Sequence, residues 1–369
     1  MNNAAYTVII PVDEWGRVYF ILDSSARPAL PVIPQSEPAA EITTTIDSLG
    51  LTVTGEPASP VMNAVSAAAG LCLTATLVRV NRPEKLTKTL PPMMLREALK
   101  LIQEGMINDL FTVAALLRLQ QNGTIKDRIE ILYRDQYCAA VHKPAGMLVH
   151  RTDADQEREN LLAVLRDQLG QRVQPIHRLD KPTSGIVLFS LDDSVTRQFY
   201  ELFQKREIEK IYLTVVRGFT DPVGTIDCPV KDDEGRMLPA ITDYETIASV
   251  ELPYAVGPYP TARYSLVKVT LQTGRMHQIR KHFSHISHPV IGDSQYGDGR
   301  HNRLFREKFN CYRLMLAAAQ MGFTHPVTGV PVQIIAPPEF SFSDTAERLG
   351  LGDALRKIID RMKSNAPTA

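Results

Sequence analysis

The 369-residue chain carries 41 Lys+Arg and 41 Asp+Glu, and 44% of its residues are hydrophobic. This balance gives no global pull toward nucleic acid or an anionic membrane, and the length predicts two domains and a tail. Four cysteines, Cys72, Cys138, Cys228 and Cys311, form no CxxC pair, which argues against a disulfide framework and a structural zinc site. The opening MNNAAYTVIIPVDEWG lacks the charged and apolar regions of a secretion signal, and no run approaches membrane-spanning length, so a cytoplasmic protein is expected.

Charge is unevenly distributed. Residues 1–125 hold 9 Lys+Arg against 11 Asp+Glu, and all nine histidines lie beyond them. Residues 263–313 hold 10 Lys+Arg and 3 Asp+Glu with five histidines interleaved, a local basic patch.

In chain order, Tyr6–Ile10 and Val18–Leu22 read as a hairpin around the turn-like residues 13–16. A Pro-rich segment follows, then a strand over Leu71–Val80 and two helical stretches within residues 91–119, broken at Gly105. The latter arrangement resembles the closing part of a Nudix domain. A working Nudix hydrolase needs a glutamate cluster to coordinate Mg²⁺, and residues 41–51 have none. Residues 1–122 are therefore expected to be a smaller α/β domain, Nudix-like but without a Nudix box and used for docking or RNA contact, or an unrelated α/β module. Gln120–Gly123 reads as a linker.

Beyond it, strands are predicted at 129–133 and 137–142, a helix at 160–169, a strand at 186–190 and a helix from Asp192 to about Glu209 with Phe199, Leu202 and Phe203 on one face. Further strands fall at 210–218, 225–230, 241–250, 263–271, 317–324 and 332–335. So many strands with few helices between them predict an α+β fold with a mixed, largely antiparallel central sheet. The expected boundaries are 123–340 for this domain and 341–369 for a C-terminal helix, residues 345–362, with a tail.

Two stretches carry chemistry. In PIHRLDKPTSGIVLFSL (175–191) a carboxylate, Asp180, sits ahead of a buried strand, and the flanking Arg178 and Lys181 favour its charged, nucleophilic form. A surface turn with a satisfied ion pair is the alternative. In TGRMHQIRKHFSHISHPVIGDSQYG (273–297), Gly274 is expected to open a helix whose first-turn amides suit a phosphate, with Arg275, Gln278, Arg280, Lys281 and His282 as donors. Its histidines lack a carboxylate or cysteine to complete a metal shell, so RNA phosphate is preferred to metal.

KPAGMLVH (143–150), HRLDKPTSG (177–185), KIYLTVVRG (210–218) and the 273–297 stretch, in that order, resemble the motifs of the RluA family of pseudouridine synthases over about residues 129–335. Residues 252–267, 292–303 and 313–329 are most similar to a tRNA-acting branch that modifies position 65. The resemblance implies Asp180 as catalytic nucleophile, Tyr212 stacked on the target base and helping to move its C5 proton, and Arg275 paired with Asp180. It further implies His177 and Arg178 where the nucleotide enters, Ile279 against the uracil, and RNA contacts from Gln278, Arg280, Lys281 and His282. RNA is the expected partner, tRNA before rRNA, with no cofactor, no metal, no membrane and a monomeric state. Ala317 stands where family members commonly have His, which removes a supporting polar contact. A noncatalytic RNA-binding factor is the competing reading.

Overall fold

The computed structural model describes residues 128–151 and 160–364 in full and, within residues 1–127, the strands and a few isolated positions. The chain divides into two compact units, Met1–Arg128 and Ile129–Ala369.

In the first unit, Ala4–Val12 meets Arg17–Val18 at the single antiparallel pair Val12↔Val18 and runs parallel to Leu71–Asn81, the predicted strand. Ile21–Leu22 pairs separately with Pro28–Ala29, so the predicted hairpin is shorter than the alternation suggests. Met93–Met94 pairs with Arg17–Val18, and the segment after residue 91 therefore opens as strand where a helix was predicted. Residues 41–51, Gly105, the linker at 120–123 and the Nudix-like reading built on them lie outside the described residues.

The second unit is built on a ten-stranded sheet. Its strands are β1 (Ile131–Arg134), β2 (Cys138–Lys143), β3 (Ser184–Ser190), β4 (Glu209–Arg217), β5 (Val223–Asp227), β6 (Ile241–Leu252), β7 (Ala262–Leu271), β8 (Leu316–Thr324) and β9 (Pro331–Ile335), with Gln174–Pro175 as a short addition to β3. The order is β1-β2-β3-β8-β4-β7-β6-β5, with β9 pairing β8. Only β3 and β8 run parallel among these pairs, so the fold is the expected α+β with a mixed, largely antiparallel sheet.

Period-two alternation sends successive side chains to opposite faces. Val187 and Phe189 of β3 join Tyr212, Val267, Val269, Leu316 and Ala318 under helices α1 (Leu161–Leu169) and α3 (Gln278–His285). Ile186 and Leu188 face the other way onto α2 (Thr196–Lys205), where Phe199 is buried and Leu202 and Phe203 pack beside it as predicted. At the far end of that face, Leu213, Tyr264, Leu266 and Ala317 pack against α4 (Gly299–Phe309), α5 (Phe340–Arg348) and α6 (Gly352–Ser364). Ala317 thus points away from Tyr212, into an apolar cluster, and its small side chain removes no polar contact from Tyr212's face.

Local chemistry explains the helix ends. Asn160 caps α1 by accepting from the Ala163 amide, and Gly170 closes it in the left-handed region. Asp192 does not cap α2: its Oδ1 accepts from the Ser194 amide in a preceding turn, and Val195 holds the cap position. The predicted C-terminal helix is two helices, parted where Gly350 adopts φ +80. Both contribute to the core through Phe342, Ala346, Leu355, Ile358 and Met362.

Candidate active site

The turn bearing Asp180 is pinned from several directions. Upstream, Pro175 pairs with Phe189, the Ile176 amide donates to Leu188 O, and His177 Nε2 accepts from the Leu188 amide at 3.1 Å. The turn closes with Thr183 N donating to Asp180 O. From beneath, Lys181 O accepts from the Gly146 amide and from Nζ of Lys143, which also reaches Pro144 O and Met147 O. Burial pushes the Lys143 ammonium down to about 7, and three carbonyl acceptors meet it there. These contacts explain the residues of 143–146: a buried donor, a bend, and a chain reversal at Gly146 with φ +85.

Asp180 opens onto a cleft of about 200 Å³, below the roughly 300–1,000 Å³ typical of drug-sized ligands. Tyr212, Ile279, Leu316 and Leu271 form its apolar wall; Arg178, Lys210 and Arg275 line it with cationic groups. Burial first, and then the charge of Asp180, raises the Tyr212 pKa, so the phenol stays protonated at neutral pH. Burial, reinforced by Arg206, lowers that of Lys210.

The cation on Asp180 is Arg280. Its Nη1 lies 3.1 Å from Asp180 Oδ2, while Nε and Nη2 hold the buried Asp293 carboxylate at 2.7 and 2.9 Å. Burial opposes charge on Arg280, yet Asp293 and Asp180 together hold its pKa above the usual arginine value. Burial also works against an ionised Asp293, and the Arg280 guanidinium with the Tyr296 and Gln295 amides outweighs it.

This corrects the predicted pairing of Arg275 with Asp180. Arg275 lines the cleft, but its Nε donates to Pro239 O at 3.3 Å. The reason is where the helix begins. A turn closed by Gln278 N donating to Arg275 O comes first, and α3 starts at Gln278 rather than at Gly274. Gln278 is buried, accepting from Thr273 Oγ1 and the Arg275 amide and donating to Ile241 O and Thr242 Oγ1. One predicted phosphate donor is thereby used internally, and the Arg275 amide with it.

The other predicted residues divide in the same way. Arg178 is exposed at the cleft, and Ile279 lines it beside Tyr212. His177 lines it too, with its ring stacked on Phe203 at 4.8 Å; burial and the Lys210 charge push its pKa down to about 3, so it offers no positive charge. His282 is buried and bonded to Cys228 O. Lys281 reaches Lys231 O at 2.6 Å. In the basic patch, Arg280 and Arg313 are buried, Arg313 being held by Glu339, Ser341 and Ser184.

Sequence reasoning missed Asp293, Tyr296 and His277. Asp293 lies in the stretch GDSQYG, where one carboxylate among basic residues marks a candidate buried partner. His277 stands between the sites: its Nδ1 is 3.0 Å from Tyr296 Oη and its Nε2 is 3.7 Å from Asp180 Oδ2.

A third cluster was also not anticipated. Asp135, Cys138 and His325 place their ligand atoms within 4.8 Å of one another. His325 Nδ1 accepts from the Val327 and Thr328 amides, which leaves Nε2 to carry the proton facing Asp135 Oδ2 at 3.1 Å, and Tyr133 donates to the same oxygen. This is the pattern of a hydrogen-bonded histidine supporting a β-turn, and it suits a metal poorly.

Comparison with known proteins bears on the chemistry. A family model described as RNA pseudouridylate synthase matches residues 137–285. The chain is 44% identical over 220 residues to a tRNA pseudouridine synthase C from Vibrio cholerae, covering 56% of this chain and 90% of that protein. The corresponding protein of Pasteurella multocida is 46% identical over 220 residues, with the same coverage of 56% and 90%. A solved structure, Human RNA Pseudouridylate Synthase Domain Containing 4, aligns with TM-score 0.48 at 23% identity, covering 60% of this chain and 93% of that one.

Proposed function

The chain belongs to the RNA pseudouridylate synthase family, and from that premise we propose that its second unit converts a specific uridine of tRNA to pseudouridine. The observation that carries the reading is the convergence on one cleft of a carboxylate, Asp180, its buried guanidinium partner, Arg280, and a phenol, Tyr212. The high identity to proteins named tRNA pseudouridine synthase C supports tRNA as the substrate class.

The reaction breaks the bond between uracil N1 and C1′ of the ribose, turns the base, and joins C5 to C1′. The proton on C5 is lost and N1 gains one, so nothing is oxidised or reduced. Asp180 supplies the carboxylate for this exchange, as a nucleophile on the ribose or as the acceptor of a ribose proton during elimination. Tyr212 stacks on the detached base and relays the C5 proton, its phenol oxygen taking that proton as its own hydrogen passes to the Asp180 carboxylate, freed once C5 has bonded C1′, while Ile279 and Leu316 keep water from the ring. A uridine within a stem must leave its stack to arrive here, and stacking on Tyr212 together with backbone contacts from Arg178 and Arg275 offsets that cost. Arg275 thus becomes a cation at the cleft for RNA, while the clamp on Asp180 belongs to Arg280.

Pseudouridines mapped across all tRNA and rRNA from cells lacking the protein test the proposal. One tRNA site should disappear, position 65 on the family resemblance, and return with the wild-type protein but not with Asp180→Asn. Loss confined to rRNA would move the substrate, and restoration by Asp180→Asn would remove the carboxylate from the mechanism.

A further inference from the structure

Four non-glycine residues among those described have positive φ: Arg206, His277, Ser287 and Asn310. Arg206 and Asn310 terminate helices, and Ser287 follows the end of α3, positions where a left-handed residue satisfies leftover carbonyls. His277, at φ 56 and ψ 23, instead precedes a helix, where an extended residue is usual. It is also the only one of the four that lines the cleft. A strained backbone persists where its surroundings over-determine it, and here both the His277 carbonyl, accepting from Lys281 N, and its side chain, bonded to Tyr296, are held.

The imidazole is anchored at Nδ1, and its Nε2 faces Asp180. Tyr296, whose amide is held by Asp293 and whose ring lies under Arg280 at 5.1 Å, places its Oη 3.0 Å from His277 Nδ1. Burial raises the Tyr296 pKa, so the phenol keeps its proton and donates it to Nδ1. Burial also lowers the pKa of His277, leaving the ring neutral with its one proton on Nε2, the atom that faces Asp180. Oδ2 of Asp180 therefore looks toward two donors, Arg280 at 3.1 Å and His277 at 3.7 Å. Among the described residues nothing donates to Oδ1.

We propose that His277 is a positioning residue that, with Arg280, secures Oδ2 of Asp180 and so presents Oδ1 to the ribose of the flipped nucleotide. The proposal rests on the reading of Asp180 as the reacting carboxylate. The Nε2 to Oδ2 separation is longer than a hydrogen bond, as catalytic contacts in a substrate-free site often are. With this left-handed backbone at the start of α3, the ring lies between Tyr296 and Asp180.

Single-turnover pseudouridine formation and steady-state kcat and KM, measured on an unmodified tRNA transcript with the full chain, test it. His277→Gly should lower kcat about 10- to 100-fold with KM changed less than about threefold, while Tm stays level or rises because glycine accepts this backbone freely. His277→Gln carries an amide N–H at the reach of Nε2 and should recover part of the lost rate, whereas the amide of His277→Asn reaches only as far as Nδ1 and should leave the variant as slow as His277→Gly. Tyr296→Phe, which frees the ring to adopt its other tautomer, should fall between wild type and His277→Gly. Wild-type kcat in His277→Gly, a loss carried by KM alone, or a Gln variant no faster than the Gly variant would each overturn the proposal. Asp180→Asn run alongside separates the two layers: if it too retains activity, the reading of Asp180 is what failed.

Discussion

Arg280 and Asp180 lie 100 residues apart in sequence and 3.1 Å apart in space. The same guanidinium grips Asp293, so one side chain couples the cleft to the loop after α3. A planar fork suits this task, because three nitrogens must point at two carboxylates in fixed directions.

Arg280→Ala should therefore damage both stability and rate. It strands the Asp293 carboxylate, which is 0% exposed, and breaking a buried pair costs about 3–5 kcal/mol. Pseudouridine formation should fall by on the order of 10²–10³-fold, the cost of losing one preorganised donor beside a reacting group. Arg280→Lys should recover little of either, since an ammonium cannot bridge the two acids. Arg275→Ala, by contrast, leaves the ion pair in place and should weaken tRNA binding with Tm unchanged. Thermal melts and single-turnover assays on the three variants decide the matter, and equal damage from Arg275→Ala would restore the predicted pairing.

Tyr212 separates a ring effect from a hydroxyl effect. Tyr212→Phe keeps the aromatic surface against Ile279 and Leu316 but removes the O–H, and kcat should drop by about 10²–10⁴-fold at nearly constant KM, the usual contribution of a positioned acid or base. Tyr212→Ala should also lose affinity for tRNA, because the stacking surface goes with the ring. Since burial and Asp180 raise the phenol's pKa, the wild-type pH–rate profile should show no limb from its ionisation below about pH 10. A Phe variant with full kcat would assign Tyr212 to stacking alone.

Gly185 tests the floor of the site. It is the second residue of β3, five residues after Asp180, with φ +113, and a Cβ there would stand 2.1 Å from Ala318 O on the parallel neighbour β8. Gly185→Ala should cost about 3 kcal/mol or more, combining a forbidden backbone with a backbone clash. Chemical denaturation measures this directly. A variant within about 1 kcal/mol of wild type would mean that β3 and β8 approach less closely than described.

The strands of the second unit were legible because apolar runs such as Ile186–Phe189 have one physical outcome, burial on both faces. The start of α1 was legible because Asn160 is a strong cap ahead of a helical pattern. The clamp was not. Arg275 and Arg280 lie in one motif, and which of them reaches Asp180 depends on a left-handed turn at His277 that no propensity announces. Two features hid in the same way: Asp293 pairs across 13 residues, and Gly350 splits a helix whose apolar pattern runs on through the break. The position of Ala317 was readable as a departure from the family, but its facing the opposite side from Tyr212 follows only from the register Leu213↔Ala317 and Tyr212↔Ala318.

The final prediction concerns pH. His177 stacks on Phe203 and accepts from the Leu188 amide, the second of which requires an unprotonated Nε2, and burial takes its folded pKa from 6.5 to about 3. A depressed pKa means the unfolded chain binds the proton first. Above pH 6.5 both states are neutral and the stabilisation is fully present; it is lost as pH falls through the window toward 3. Each pH unit within that window removes at most about 1.4 kcal/mol through this group. His177→Gln, whose amide oxygen can still accept from Leu188, should melt with a shallower dependence on pH between 6.5 and 4 than the wild-type protein. Carboxylates such as Asp293 also lose their stabilising partners in acid, but they do so equally in both proteins, so the difference between the two curves isolates the imidazole. Parallel curves would show that His177 is protonated without cost, and that the strand contact does not depend on its charge.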